Sequence, residues 1–178
     1  MLRKLNLCAM LAASLVAGGA QAATFTFSFD NEDGAVPGTV SGTIELPDGD
    51  GVGLAATSVL VTAFPAALGL GPTPVNFLAS PFISNSFTVT GGVITASDFF
   101  GLTNEQTALA LNGTSPFTGA RTTFLDAQDG NDFGETGVRD LDSSTLSFGT
   151  ASTAVPLPPA AALLLAGLAG LAALGRRR

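Results

Sequence analysis

The chain of 178 residues contains no histidine, tryptophan or tyrosine, and a single cysteine, Cys8. Thirteen phenylalanines are its only aromatic residues. Basic residues are scarce and placed at the ends: Arg3 and Lys4 at the start, Arg176, Arg177 and Arg178 at the finish. Between residues 23 and 154 only Arg121 and Arg139 remain, against all 14 acidic residues, so this stretch carries a formal charge of −12. These absences exclude much chemistry. No Ser-His-Asp or Cys-His arrangement, lysine Schiff base, or His/Cys zinc site can be built from this body. A carboxylate pair is compatible with glycoside hydrolysis, but sugar sites normally stack their substrate on Trp or Tyr, and neither is present. We expect no enzyme. A body of this charge also repels nucleic acid and anionic lipid, and attracts divalent cations.

Met1 to Ala22 has a basic start, an apolar centre over Leu7–Ala17, and Ala20-Gln21-Ala22 at its end. This is the pattern of a secretory signal peptide, with Ala20 and Ala22 supplying the small side chains before a cut that leaves Ala23 as the mature N-terminus. Cys8 opens the apolar region, whereas a lipidated cysteine closes it, so no lipoprotein is expected. Once the leader is removed the chain has no cysteine. The exported domain must then be held by its core or by bound ions.

At the other end, Val155-Pro156-Leu157-Pro158-Pro159 precedes an apolar run from Ala160 to Leu174, then Gly175-Arg176-Arg177-Arg178. The run partitions into lipid and the arginines stay in the anionic cytoplasmic interface. At about 1.5 Å per residue the run alone spans about 22 Å, short of the roughly 30 Å hydrocarbon core. It is rich in Ala and Gly, and its glycines do not form the GxxxG spacing of close helix pairs. A weak span suits a segment that is recognised and discarded. The three parts together resemble a bacterial C-terminal sorting signal, the VPLPA variant of the PEP-CTERM type. Val155–Pro158 match it, and Pro159 stands where the family usually has Ala. The resemblance implies processing by an exosortase-type membrane peptidase after signal peptidase. It also implies an inner-membrane anchor before processing, and a final place in the cell envelope, surface or extracellular matrix, in company with exopolysaccharide.

Residues 23–154 are one domain's length and read as strands and turns. Thr24–Phe29 alternates strictly, with Phe25, Phe27 and Phe29 on one face. Thr39–Leu46 alternates again, and the two form an expected hairpin across the loop Asp30–Gly38; Pro47–Gly51 then breaks the pattern. Ala55–Phe64 is a third strand. Pro65–Ser84 holds four prolines and cannot be a central strand or a helix interior. Asn85–Thr90 and Val93–Ala96 flank Gly91-Gly92, a hairpin signal. Thr107–Leu111 runs into the turn signal Asn112-Gly113, and Thr122–Asp126 and Ser144–Thr150 follow. Leu102–Leu111 is the best helical candidate. The expected fold is therefore all-β: an antiparallel β-sandwich of about eight strands, flanked by an N-terminal signal helix and a C-terminal transmembrane helix. Its opening (Phe25–Phe29, Pro37–Ile44, Ala55–Val59) resembles a recurring secreted β domain of sorting-signal proteins from environmental bacteria, which brings no catalytic residues.

Three constellations could carry chemistry. Asp126–Glu135 offers the hard oxygen donors that Ca²⁺ takes, with Asp129, Asn131, Asp132 and Glu135 as candidate ligands and Asp140 and Asp142 beyond. It is neither an EF-hand nor an RTX repeat, and solvated turns favour the same residues. Asp30–Gly34 and Asp48–Gly51 flank the second strand and lie about 30 Å apart if it is extended, at opposite ends of the sandwich. Asn112-Gly113-Thr114 is a glycosylation sequon, read more plainly as a turn. The domain plan is thus a leader (1–22), a body (23–154) and a sorting tail (155–178). The expected function is a non-catalytic surface or matrix protein, with a Ca²⁺-dependent carbohydrate-binding module or adhesin as the alternative and an acidic glycosidase third.

Overall fold

A computed structural model describes residues 22–79, 82–103, 107–114, 119–126 and 136–153. Over these residues the protein is all-β, with two antiparallel sheets and twelve strands. The strands are β1 (Ala22–Asp30), β2 (Thr39–Pro47), β3 (Gly51–Leu54), β4 (Ser58–Ala63), β5 (Val75–Asn76), β6 (Phe82–Thr90), β7 (Val93–Leu102), β8 (Ala108–Thr114), β9 (Arg121–Asp126), β10 (Val138–Asp140), β11 (Ser147–Phe148) and β12 (Ser152–Thr153). The first sheet, sheet A, has the order β11-β1-β2-β4-β5, with β12 also paired to β1. The second, sheet B, has the order β10-β9-β8-β7-β6-β3. The leader and tail helices expected from the sequence lie outside the described residues. Among the described residues no helix is long and apolar enough to cross a membrane.

Alternation builds sheet A. In β1 the side chains of Ala23, Phe25, Phe27 and Phe29 are buried, and in β2 those of Val40, Ile44 and Leu46. The two strands pair over their whole length, from Ala22 opposite Pro47 to Asp30 opposite Thr39, as the hairpin reading requires. Phe27 lies opposite Gly42. A Cβ on Gly42 would stand 2.5 Å from the Phe27 ring, so the aromatic covers the bare glycine backbone and only glycine fits. Val59 and Val61 of β4 complete the inward face. Phe87, Val89, Ile94, Phe99, Leu109, Leu111, Leu125 and Val138 come from sheet B and join the same cluster. The two sheets therefore share one core in a sandwich-like packing. Phe87 and Phe99 stack within it, ring centroids 6.0 Å apart.

Several elements depart from the sequence reading. Gly91-Gly92 is a hairpin turn with φ of 61° and 74°, as the signal indicated, but its strands run longer, from Phe82 to Leu102. The described ends of the helical candidate Leu102–Leu111 are strand: β7 ends at Leu102 and β8 begins at Ala108. In β8 the consecutive residues Ala108, Leu109, Ala110 and Leu111 are all buried, so both faces are covered and no alternation survives to mark a strand. Asn112-Gly113 is not a turn. It is a bulge inside β8, with Asn112 at φ 47° and the register against β9 shifting between Ala110 and Gly113. The additional strands are short: β3, β5, β10 and β12 have two to four residues each, too short for a pattern of period two. The stretch Ser144–Thr150 supplies only the two-residue β11. In the proline-rich segment, β5 is a two-residue edge strand, and Phe77 follows it into the core with no exposure.

Candidate functional site

Asp30 and Thr39 close one end of the β1–β2 pair, and Ala22 and Pro47 close the other. The acidic segments at 30–34 and 48–51 therefore sit at opposite ends of sheet A, as expected. At the first end, the loop after β1 is tied to β10 of the opposite sheet. The Glu32 and Asp33 amides both donate to the Arg139 carbonyl at 2.9 Å. The Asn31 carboxamide accepts from the Gly34 and Arg139 amides and donates to the Gly34 carbonyl, all within 3.0 Å. A Cβ on Gly34 would meet the Gly137 carbonyl, so the glycine permits this approach.

This seam brings Glu32, Asp140 and Asp142 together, with carboxylate oxygens within 4.8 Å of one another. Asp140 is fully buried and accepts from the Ser144 amide (3.1 Å), the Thr145 amide (2.7 Å) and the Thr145 hydroxyl (2.6 Å). Asp142 accepts from the same Ser144 amide at 3.0 Å, and Glu32 accepts from the Ser144 hydroxyl at 3.1 Å. Hydrogen bonding from Ser144 holds the Asp142 carboxyl below the ordinary carboxylate range, because it favours the charged form. Asp33 accepts from the Leu141 amide at 2.9 Å. The cluster is a hydrogen-bonded clasp between the two sheets and, chemically, a set of hard oxygen donors of the kind Ca²⁺ takes.

Two other carboxylates are engaged elsewhere. Asp50 accepts from the Gly91 amide (2.7 Å) and the Gly92 amide (3.1 Å), which lowers its pKa and fixes the β6–β7 turn against the start of β3. Burial by itself would raise the Asp98 carboxyl. Hydrogen bonds from the Thr114 amide (3.1 Å) and hydroxyl (3.2 Å), with Arg121 3.4 Å away, outweigh burial and hold it low.

Of the residues singled out from the sequence, Ala22 and Ala23 are the first two of β1. Ala23 is buried and pairs with Leu46 on one side and Thr153 on the other. The two ends of the described body thus run side by side. Ala20, the sorting motif Val155–Pro159 and Arg176–Arg178 lie outside the described residues, as do the candidate ligands Asp129, Asn131, Asp132 and Glu135. Asp126, at the described edge of that loop, is buried and accepts from the Thr136 hydroxyl at 2.9 and 3.0 Å. In the sequence Asp140 and Asp142 lie just beyond that loop, far from Glu32. The short runs Asn31-Glu32-Asp33 and Arg139-Asp140-Leu141-Asp142 were visible, but no local pattern joins segments 108 residues apart. Comparison with protein-family models, curated proteins and solved structures finds no match to this chain.

Proposed function

We propose that the chain is an exported, non-catalytic protein of the cell surface or extracellular matrix, delivered and processed through its two terminal signals. The observation that carries this reading is the tail, Val155–Arg178: a proline motif, an apolar run and a basic stop in that order. In this account signal peptidase cuts after Ala22, and the tail holds the chain in the inner membrane as a helix until an exosortase-type peptidase acts at the proline motif. The pairing of Ala23 with Thr153 supports it, because both signals then leave the body from one end of sheet A and neither cut removes a paired strand. The finer fold that follows is a sandwich body between a leader helix and a tail helix.

The tail variants test this. Replacing Arg176–Arg178 with Ser removes the cytoplasmic stop, so the span slips through unprocessed. Replacing Pro156 and Pro158 with Ala leaves the span inserted and uncut, since a proline-stiffened extended segment suits a protease cleft and a continuous helix does not. If both variants mature and localise like wild type, the tail is a plain anchor and the sorting reading is wrong.

A second reading, a Ca²⁺-dependent carbohydrate-binding module or adhesin, draws on the convergence of Glu32, Asp140 and Asp142. It differs from the first in predicting that Ca²⁺ stabilises the body more than Mg²⁺ does at equal ionic strength.

A further inference from the structure

The outward face of sheet A is a field of hydroxyls. It carries Thr24, Thr26 and Ser28 on β1, Ser41 and Thr43 on β2, Ser58 and Thr62 on β4, and Ser147 on β11, with Glu45 beside Thr24 and Ser58 and Leu60 beside Thr43. The register sets them in rows: Ser28 lies between Ser147 and Ser41, and Thr26 lies opposite Thr43. Such rows are about 4.8 Å apart across strands and about 6.7 Å apart along them.

At the centre of this face is a depression of about 430 Å³. The hydroxyl residues lining it are Thr26, Ser28, Ser41, Thr43, Thr62 and Ser147, and among the described residues no Asp, Glu, Lys or Arg lines it. Threonine's preference for strands explains part of this composition. It does not explain the serines at 28, 41 and 147, nor two backbone features that shape the depression. First, the β2–β4 register shifts between Ser41 and Gly42, so that Ser41 faces Ala63 and Gly42 faces Val61. The extra residue is Thr62, which alternation along β4 already points outward and the bulge leaves unpaired beside Ser41, its hydroxyl donating to the Ser41 carbonyl at 3.3 Å. Second, a Cβ on Gly149 would collide with the Thr26 hydroxyl, so only glycine at 149 leaves that hydroxyl open.

We propose that this depression binds a segment of neutral polysaccharide. A hydroxyl donates one hydrogen bond and accepts up to two; Thr62 spends its proton on the Ser41 carbonyl and Ser28 and Ser147 bond each other at 3.0 Å, and the capacity left over matches a ligand that offers the same groups. An anionic chain would find no cationic donor in the lining and would meet the field of a body with a formal charge of −12. A lining without Trp or Tyr gives a shallow, weak site, with a Kd on the order of millimolar. Many copies in a matrix then bind by avidity. The proposal rests on the extracellular placement above and names the ligand class of that protein.

The test is a ¹⁵N NMR titration of the protein as recovered from producing cells. The probes are three neutral hexasaccharides (maltohexaose, cellohexaose and mannohexaose) and an oligogalacturonate of the same length. At least one neutral sugar should shift the amides of Thr26, Ser28, Ser41, Thr43, Thr62 and Gly149, with oligogalacturonate at least tenfold weaker. The variant Thr26→Val/Thr43→Val keeps strand-forming residues of the same shape. It should retain the wild-type spectrum elsewhere and bind at least tenfold more weakly. No shift at this face with any neutral sugar, shifts unchanged in the double variant, or stronger binding of oligogalacturonate would each overturn the site. Fractionation of cells decides export separately. Export without sugar binding sinks the site alone, and sugar binding by a chain that stays in the cytoplasm sinks the export reading alone.

Discussion

The outward faces of the two sheets are built on opposite plans. On sheet A, β1, β2 and β4 turn hydroxyls outward and leave them exposed or half-buried. On sheet B, Phe100, Ala108, Ala110 and Phe124 turn away from the shared core and are buried all the same, with Phe100 and Phe124 packed edge to face at 5.7 Å. Sheet A is thus a boundary between core and solvent, while the middle of sheet B is interior on both sides. A strand with one wet face must alternate, and a strand with two dry faces need not. The same chain therefore contains strands that announce themselves and strands that do not.

The largest expected effects break this contrast directly. Phe99→Ala in the shared core and Phe124→Ala on the far side of sheet B should each cost about 3–5 kcal/mol in denaturant unfolding, since both side chains are fully buried. Thr43→Val on sheet A should change stability by less than about 0.5 kcal/mol. If Phe124→Ala proves as mild as Thr43→Val, the two faces are not built differently. Next in size is Gly42→Ala. Its new Cβ meets both the Phe27 ring and the Leu60 carbonyl, and overpacking of this kind costs about 1–3 kcal/mol. A second substitution, Phe27→Leu, should recover part of that loss.

The third prediction concerns pH. The Asp98 carboxyl on the outer face of sheet B has a folded pKa below its ordinary value. Its contribution is therefore fully present above the unfolded value of about 3.9, and is lost as pH falls through the lower folded value. Asp98→Asn should melt below wild type at pH 7, and the gap should close as pH drops below about 4. A gap independent of pH would mean that the carboxylate's charge contributes nothing. Smallest of all is the cation effect. An extracellular-type Ca²⁺ site at a few millimolar ion stabilises by on the order of 1 kcal/mol. Glu32→Gln/Asp142→Asn should abolish any preference for Ca²⁺ over Mg²⁺ in melting temperature if the clasp is that site. Asp129→Ala/Asp132→Ala should do so if the loop is. Equal responses to both ions in every variant would reduce the effect to screening of the body's negative charge.

Legibility followed wetness. The β1–β2 hairpin could be read from the alternation of Phe25, Phe27 and Phe29 and from the loop of Asp30–Gly38, and the β6–β7 turn from Gly91-Gly92. The sequence leaves β8 ambiguous, readable as the strand Thr107–Leu111 or as part of a helical candidate, because Ala108–Leu111 is apolar without period. Asn112-Gly113 was misread as a turn because a bulge and a turn use the same residues for the same reason: both need a residue that tolerates positive φ. The carboxylate clasp was legible only in halves. Glu32 and Asp140 come from segments joined by the pairing of loop to strand across two sheets, and nothing local to either segment encodes that meeting.

The central claim is that this body is a finished module released by two cuts, one before Ala23 and one at the proline motif. Intact-mass measurement of the protein recovered from envelope and medium tests it most directly. The account predicts a single chain that begins at Ala23 and ends within or just beyond Val155–Pro159, without Arg176–Arg178. A mass that retains Met1, carries a lipid on Cys8, or includes Arg178 in the released protein would contradict it.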